Sequence, residues 1–186
     1  MKVTPTEIPD LLLVEPRVHG DARGWFLETW VEQRYRDAGI AAAFVQDNVS
    51  RSRRGALRGL HLQQPHAQGK LVSALVGEVF DVAVDLRVGS PSFGRWVGVV
   101  LSEQNHRQLW IPPGFAHGFC VTSDEALFHY KCTDAWHANC EMSVAWNDPD
   151  LAIAWPAASP VVSEKDARAP RLRDIPRERL PRFEGR

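Results

Sequence analysis

The stretch between residues 71 and 146 constrains the fold of this chain most strongly, because short apolar runs alternate there with turn residues. The runs fall at residues 71–76, 79–86, 96–101, 109–111, 115–121, 126–132 and 142–146. Turn-forming triplets separate several of them, among them Gly89-Ser90-Pro91, Pro112-Pro113-Gly114 and Asn147-Asp148-Pro149. Many short strands joined by regular turns predict a sandwich, a jelly roll or a barrel.

The first two runs carry the most detailed strand signal. Only Gly77 and Glu78 separate them, and a two-residue loop that begins with glycine favours a type II′ hairpin. In the second run the apolar residues recur with a period of two, at Phe80, Val82, Val84 and Leu86, and Asp81 and Asp85 fall on the opposite face. We therefore predict an antiparallel hairpin whose second strand is half-buried, with one face in the core.

Helix is scarce in this sequence. The best candidate is residues 31–38, which Gly39 ends and in which Val31, Tyr35 and Ala38 share one face. The arginine-rich residues 171–186 contain two prolines and few large apolar side chains, which predicts a packed tail or a short helix, with a partly frayed terminus as the alternative. We expect one β domain over residues 1–186, with residues 171–186 as its tail.

Composition excludes several classes of protein. With 44% hydrophobic and 24% charged residues the chain is neither disordered nor fibrous, and a net charge of −1 provides no global attraction to nucleic acid or to an anionic membrane. No apolar run approaches the roughly 18 residues of a membrane span. Three cysteines without a Cys-x-x-Cys pair, Cys120, Cys132 and Cys140, suit a reduced cytoplasmic protein without a structural zinc site. We thus expect no nucleic-acid partner and no membrane contact.

Two segments, GALRGLH at residues 55–61 and PGFAH at residues 113–117, resemble the half-motifs of the cupin superfamily, which are small jelly-roll barrels. The first cupin motif usually supplies His-x-His and a later carboxylate to a metal ion. Here His61 is followed by Leu62-Gln63, and Gln68 and Lys70 stand near the expected carboxylate. An ammonium group repels a divalent cation. The resemblance therefore implies a mainly β, cupin-like antiparallel jelly-roll barrel, with a few short helices, that has lost its metal.

Nine segments, two of which overlap the cupin half-motifs, resemble the dTDP-4-dehydrorhamnose 3,5-epimerases, in the family's order, over nearly the whole chain from about Leu12 to Asp166. They are DARGWFLE (21–28), FVQDNVS (44–50), LRGLH (57–61), QGKLV (68–72), DVAVDLR (81–87), WIPPGFAHGF (110–119), YK (130–131), WNDP (146–149) and SEKD (163–166). The resemblance implies a cofactor-independent isomerase of deoxysugar nucleotide synthesis. It also implies a homodimer in which N-terminal strands cross to the partner and bring Arg23 to the partner's site.

Epimerisation beside a ketone needs a base, a group that stabilises the enolate, and an acid on the opposite face. His61 suits the base, because an ordinary imidazole is largely neutral at cellular pH. The family pattern assigns Asp166 to the far nitrogen of this imidazole, where a carboxylate would fix the tautomer. The alternative is a core histidine bonded to backbone; the glycines at 55 and 59 and the missing second metal ligand favour the functional interpretation.

Lys70 would place an ammonium beside the oxygen that becomes negative in the enolate. This assignment depends on the resemblance, since a lysine at the start of a strand can equally point to solvent.

The acid is assigned partly from composition. The chain has two tyrosines, and Tyr35 falls on the predicted helix, which leaves Tyr130 for the barrel. Strand parity groups Tyr130 with an inward apolar row, Ala126, Phe128 and Cys132, and turns His129 and Lys131 outward. A phenol is protonated at neutral pH and can donate, although a packed tyrosine bonded to backbone is the alternative.

The family's substrate is a deoxythymidine diphosphate sugar, and the resemblance implies a set of contact residues for it: Arg23, Phe26, Glu28, Gln46, Asn48, Arg58, His117, Trp136, Glu141 and Lys165. Arginines bind phosphate through two hydrogen bonds, although any single one can be a surface charge. Strand parity places Arg58 opposite His61, so both reach one ligand only across a bulge or a bend. Trp136 stands where the family commonly has a tyrosine, and an indole stacks on thymine at least as well.

These residues predict inversion of C3 and C5 in a dTDP-4-keto-6-deoxyhexose. Three alternatives remain open at this point. One is an epimerase that acts at C3 or C5 alone, with the same residues. Another is a metal-dependent cupin oxygenase or isomerase with His61 and His117 as ligands. The third is a sugar-nucleotide binder without catalysis.

Overall fold

The computed structural model describes residues 1–185, and β-strands make up most of its regular structure, as predicted. The strands of this range are β1 (Lys2–Pro5), β2 (Leu12–Glu15), β3 (Val18–Asp21), β4 (Gly24–Leu27), β5 (Gln46–Arg53), β6 (Leu57–Gln63), β7 (Lys70–Val76), β8 (Glu78–Asp85), β9 (Trp96–Ser102), β10 (Gln108–Ile111), β11 (Phe115–Val121), β12 (Glu125–Cys132) and β13 (Glu141–Ser143). The helices are α1 (Glu32–Asp37) and α2 (Glu164–Ala167), with 3-10 turns at Ala138–Cys140, Leu172–Asp174 and Arg177–Arg179.

Two antiparallel sheets face each other across the main core. One has six strands in the order β1-β2-β10-β7-β12-β5, and the other has five in the order β13-β6-β11-β8-β9. Side chains from both sheets, including Val72 and Phe128 on one side and Ala83 and Phe119 on the other, pack into one buried cluster. This is the cupin-like jelly roll that the sequence predicts. Strands β3 and β4 pair only with each other, as a separate hairpin.

The prediction of a hairpin at Gly77 is wrong. Strand β7 pairs with β10 and β12 in the six-stranded sheet, whereas β8 pairs with β11 and β9 in the five-stranded sheet. Gly77 has φ +72°, and a Cβ there would overlap the carbonyl oxygen of Glu125. The glycine therefore allows the chain to pass from one sheet to the other in a tight corner. A glycine-first turn has the same local sequence whether the next strand returns beside the first or enters another sheet.

Strand β8 is buried on both faces, not on one as predicted. Val82 and Val84 pack outside the five-stranded sheet against a cluster that includes Ile175 and Leu180 of the C-terminal tail. Ala83, on the other face, points into the core between the sheets. Asp81 shares the parity of Ala83 and is completely buried. The tail covers the face that alternation alone assigned to the core, and the face with the aspartates is the interior of the barrel.

The predicted helix is present as α1, and its capping residues Val31 and Ala38 match the expected limits. Tyr35 is buried and its hydroxyl donates to Gln108 Oε1 at 2.6 Å. The tail packs through Ile175 and Leu180, and the backbone N–H of Phe183 donates to the carbonyl of Val88 at 3.0 Å. The last residue, Arg186, which also belongs to the predicted tail, lies outside the described residues. Among residues 1–185 no helix has the length and apolar character that a membrane crossing requires.

Candidate active site

A hollow opens between the two sheets and divides into two adjoining pockets. The first pocket, of about 640 Å³, lies between β5, β6 and the segment 161–166. The second pocket, of about 270 Å³, lies between β5, β6 and the segment around Trp136. His61, Lys70 and Tyr130 line both pockets. The three side chains therefore stand at the junction, where one ligand can reach all of them.

His61 is held by Asp166. The Nε2 atom of His61 lies 2.6 Å from Oδ1 of Asp166, which is buried on α2. The backbone N–H of Gly59 donates to the other carboxylate oxygen at 3.4 Å. Burial raises the pKa of Asp166, but the hydrogen bond and charge of His61 and the Gly59 N–H outweigh it and keep this pKa below the ordinary value. An ionised Asp166 accepts a hydrogen bond from the Nε2–H of a neutral His61, which leaves the Nδ1 lone pair free.

A bulge in β6 brings Arg58 and His61 to the same pocket. The pairing of β6 with β11 shifts register between His117 and Phe119, beside Gly59. Gly59 has φ +130°, and a Cβ there would lie 2.5 Å from the Cα of Gly118, so only glycine fits. Arg58 and His61 both line the first pocket. The bulge is the feature that strand parity requires for these two residues to reach one ligand.

Lys70 points into the hollow and not to solvent. Its ammonium lies 6.0 Å from the centroid of the Tyr130 ring. Burial lowers the pKa of Lys70, and the negative charges that Cys132, Asp81 and Glu141 can carry oppose this shift only in part. A sheltered ammonium interacts strongly with a charge that develops beside it.

Tyr130 lies on the inward face of β12, as strand parity predicts. Its row contains the buried residues Ala126, Phe128 and Cys132. Burial raises the pKa of Tyr130, and the neighbouring acidic groups Cys132 and Glu141 add to the rise. The phenol therefore keeps its proton at neutral and mildly alkaline pH.

His117 forms one wall of the first pocket and is fixed by a buried partner. Its Nε2 lies 2.8 Å from Oδ2 of Asp81, and its ring stacks on Phe128 at 5.9 Å between centroids. Asp166 and Asp81 each bond only the Nε2 atom of their imidazole, an arrangement that metal-binding histidines also have. The ammonium of Lys70 lines the same hollow, however, and it would repel a divalent cation held between His61 and His117.

The second pocket has the polar and aromatic groups expected for a nucleobase. Gln46 and Asn48 line it and share a hydrogen bond of 3.0 Å, and the backbone N–H of Trp136 donates to Gln46 Oε1 at 2.8 Å. The indole of Trp136 is 58% exposed at the rim. Glu141 also lines this pocket and forms an ion pair of 2.6 Å with Lys165 of the first pocket.

Three predicted contact residues lie outside both pockets of this chain. Arg23 and Phe26 lie on the β3–β4 hairpin; Arg23 pairs with Asp21, and Phe26 is 65% exposed. Glu28 follows the hairpin and pairs with Arg34. The hairpin pairs with neither main sheet, so no strand pairing within residues 1–185 brings these side chains to the hollow.

Sequence reasoning missed several residues of the site. Ser50 and Ser52 continue the inward row of Gln46 and Asn48 along β5, and Ser52 Oγ accepts from Nε of Arg58 at 3.0 Å. Four polar residues at a period of two were the available signal for this row. Asp81, the partner of His117, was assigned to an exposed face by the same rule.

Both the sequence and the fold have counterparts among known proteins. The family model described as dTDP-4-dehydrorhamnose 3,5-epimerase matches residues 5–174. A protein of that name from Pseudomonas aeruginosa is 56% identical over 176 residues, which covers 94% of this chain and 97% of the relative. Another from Escherichia coli K12 is 50% identical over 183 residues and covers 97% of this chain and 99% of the relative.

Two solved structures extend the comparison. The dTDP-6-deoxy-D-glucose-3,5-epimerase of Legionella pneumophila Philadelphia 1, in complex with dTDP-4-keto-L-rhamnose, has a TM-score of 0.97 and 54% identity and covers 99% of each chain. ChmJ, a 3′-monoepimerase of Streptomyces bikiniensis in complex with dTDP-quinovose, has a TM-score of 0.90 and 35% identity, with coverage of 97% of this chain and 93% of that chain.

Proposed function

The chain belongs to the dTDP-4-dehydrorhamnose 3,5-epimerase family, and from this premise we propose that it inverts C3 and C5 of dTDP-4-dehydro-6-deoxy-D-glucose by acid–base catalysis. It is an isomerase of dTDP-L-rhamnose and deoxysugar synthesis. The observation that carries the proposal is the junction of the two pockets, where the His61–Asp166 pair, Lys70 and Tyr130 meet.

Each inversion follows one proton cycle. Nδ1 of His61 takes the proton from the carbon beside the C4 ketone, the C–H electron pair moves into an enolate, and the negative charge goes to the C4 oxygen. Asp166 stabilises the imidazolium that forms. The ammonium of Lys70 stabilises the enolate oxygen. The Tyr130 hydroxyl then gives its proton to the carbon from the opposite face, and the phenolate and imidazolium return to their starting forms by proton exchange.

The rest of the substrate is held by charge and stacking. Arg58 and Lys165 supply cations for the diphosphate in the first pocket. Gln46 and Asn48 supply neutral hydrogen-bond groups, and the exposed indole of Trp136 supplies a stacking face for thymine.

Deuterium exchange tests the proposed reaction. The protein is incubated with the keto sugar in deuterium oxide, and the loss of proton signals at C3 and C5 is measured by NMR. We expect deuterium to enter at both carbons. Exchange at one carbon would assign a mono-epimerase, the activity that the name of ChmJ gives. Tight dTDP binding without exchange would assign a non-catalytic binder, and activity that disappears with a chelator and returns with iron or zinc would assign the metal-dependent class.

Replacement of Lys70 by arginine is expected to change the pH profile. Because burial lowers the pKa of Lys70, kcat of the natural enzyme should fall as pH rises through this lowered pKa, when the ammonium loses its charge. Arginine keeps its charge throughout this range, so kcat of Lys70→Arg should be lower at neutral pH but should hold to higher pH. The measurement is kcat from about pH 6 to about pH 10. An unchanged alkaline limb would assign that limb to another group.

We also propose a homodimer in which the β3–β4 hairpin reaches the partner's site. The exposure of Phe26 and Arg23 outside their own hollow supports this. Co-expression of Arg23→Ala and His61→Ala chains should recover about a quarter of natural activity below saturation, because about half of the dimers are mixed and each mixed dimer has one intact site. No recovery above the two separate variants would mean that each chain builds its site alone.

The three cysteines of residues 1–185, Cys120, Cys132 and Cys140, are free thiols, which supports a reducing compartment. We therefore propose a cytoplasmic location, and recovery with a secreted or membrane fraction after cell fractionation would contradict it.

A further inference from the structure

A second cluster of chemically active side chains lies at the rim of the second pocket. It is separate from the barrel hollow, where the sequence predicts that the cupin metal site is lost. His66 lies on the loop between β6 and β7, and Asp134 and His137 lie on the loop after β12. Nδ1 of His66 is 3.2 Å from Oδ2 of Asp134, and Nε2 of His137 is 3.5 Å from Oδ1 of Asp134. The two imidazole rings stack with centroids 4.2 Å apart. Two loops thus direct three donor groups to one point.

The spacing of these donors matches a metal ion. One donor atom from each residue lies within 4.8 Å of the others. Neighbouring ligands of a tetrahedral zinc ion, with bonds of about 2.0–2.1 Å, lie about 3.3 Å apart. The two distances from the imidazoles, one to each carboxylate oxygen of Asp134, equal this value within a few tenths of an ångström. Two imidazoles and one carboxylate are ligands that zinc-class cations accept, and the half-exposed cluster leaves room for water as the fourth ligand.

The backbone around the cluster is tied down by a buried amide. The side chain of Gln63 donates to the carbonyls of His66 and Ala135, at 2.9 and 3.1 Å, and accepts from the N–H of His137 at 2.7 Å. Gln68 donates to the carbonyl of Asp134 at 2.8 Å. One buried side chain therefore connects the two loops, so that the positions of the ligands are set before any ion binds.

His66 itself has a backbone conformation that side chains rarely adopt, with φ +62°. A left-handed conformation costs free energy in a residue other than glycine, and such costs concentrate at functional positions. His106 also has a positive φ, but only His66 combines this conformation with a second imidazole and a carboxylate beside its ring, within the described residues.

We propose that His66, Asp134 and His137 bind one divalent cation of the zinc class and so connect the two loops at the rim. Trp136 lies between Asp134 and His137 in the sequence, and its side chain lines the second pocket. The bound ion therefore fixes the loop that carries the indole.

The test is titration of the tag-free, chelator-treated full chain with zinc chloride in a calorimeter. We expect one zinc ion per chain and a rise in Tm on zinc addition, since a ligand that binds only the folded state stabilises it. His66→Ala and His137→Ala should each weaken zinc binding at least about tenfold, the smallest loss usual even for a group that only supports a ligand. His106→Ala, on the turn between β9 and β10, should bind as the natural chain does.

Cys140 provides a second control, because it lies near the cluster and thiolates bind zinc. Cys140→Ser should keep full affinity, and cobalt(II) in place of zinc should show no thiolate charge-transfer band. Asp134→Asn keeps the size of the side chain and should also weaken zinc binding. It therefore replaces the alanine variants in the test if one of them fails to fold. No saturable binding, unchanged affinity in both His66→Ala and His137→Ala, or loss of binding in Cys140→Ser would each overturn the proposal.

Discussion

Replacement of His61 by alanine is expected to lower kcat for epimerisation by at least about 10³-fold, near the upper end of what one acid–base group contributes. His117 also has a carboxylate partner, Asp81, but it lines only the first pocket, whereas His61 lines both pockets and stands at their junction. Deuterium exchange at both C3 and C5 should fall together, because one base serves both carbons. The affinity for dTDP, measured by calorimetry, should stay within a few-fold, since His61 acts on the sugar.

Asp166→Asn keeps the shape of the partner but removes its charge, and we expect a smaller loss than in His61→Ala. Full exchange in His61→Ala would contradict the assignment of the base.

Replacement of Tyr130 by phenylalanine is expected to separate the two halves of the reaction. Proton removal by His61 does not need the phenol, so deuterium should still enter the substrate. Completed inversion should fall by about 10²-fold or more, because the proton donor on the opposite face is gone. The ring that lies near the Lys70 ammonium remains in the variant, so the shape of the hollow is kept. The measurement compares deuterium uptake with product formation in one NMR time course.

The other tyrosine gives a matched control for this experiment. Tyr35→Phe loses the buried hydrogen bond to Gln108 and should lower Tm, but the ratio of exchange to inversion should not change. If Tyr130→Phe lowered exchange and inversion equally, the phenol would only shape the pocket.

The strands of the fold could be predicted because their signal is local. The limits of β11 agree with the apolar run at residues 115–121, and those of β9 differ by a single residue at one end. The pairing of strands is a contact between distant residues, and sequence alternation does not encode it. For this reason Gly77 was interpreted as a hairpin turn, although the strands on its two sides enter different sheets.

The candidate site was predictable to a similar extent and for related reasons. Motif resemblance and strand parity indicated His61, Lys70, Tyr130 and Asp166, and the structure brings these four side chains around one hollow. The role of Asp81 was not accessible, because a buried aspartate and an exposed one look the same in an alternating strand. The contribution that we propose for the β3–β4 hairpin would come from a second chain, about which one sequence contains no geometric information.

The junction of the two pockets has a consequence for how such a scaffold evolves. His61 and Tyr130, the proposed base and acid, lie on β6 and β12, whereas Trp136, the proposed stacking partner of the nucleobase, lies on a peripheral loop. On this proposal, mutations in the loop can change which nucleobase is accepted while the geometry of the acid and the base stays the same. In this architecture, nucleobase preference can therefore change without loss of the epimerase reaction.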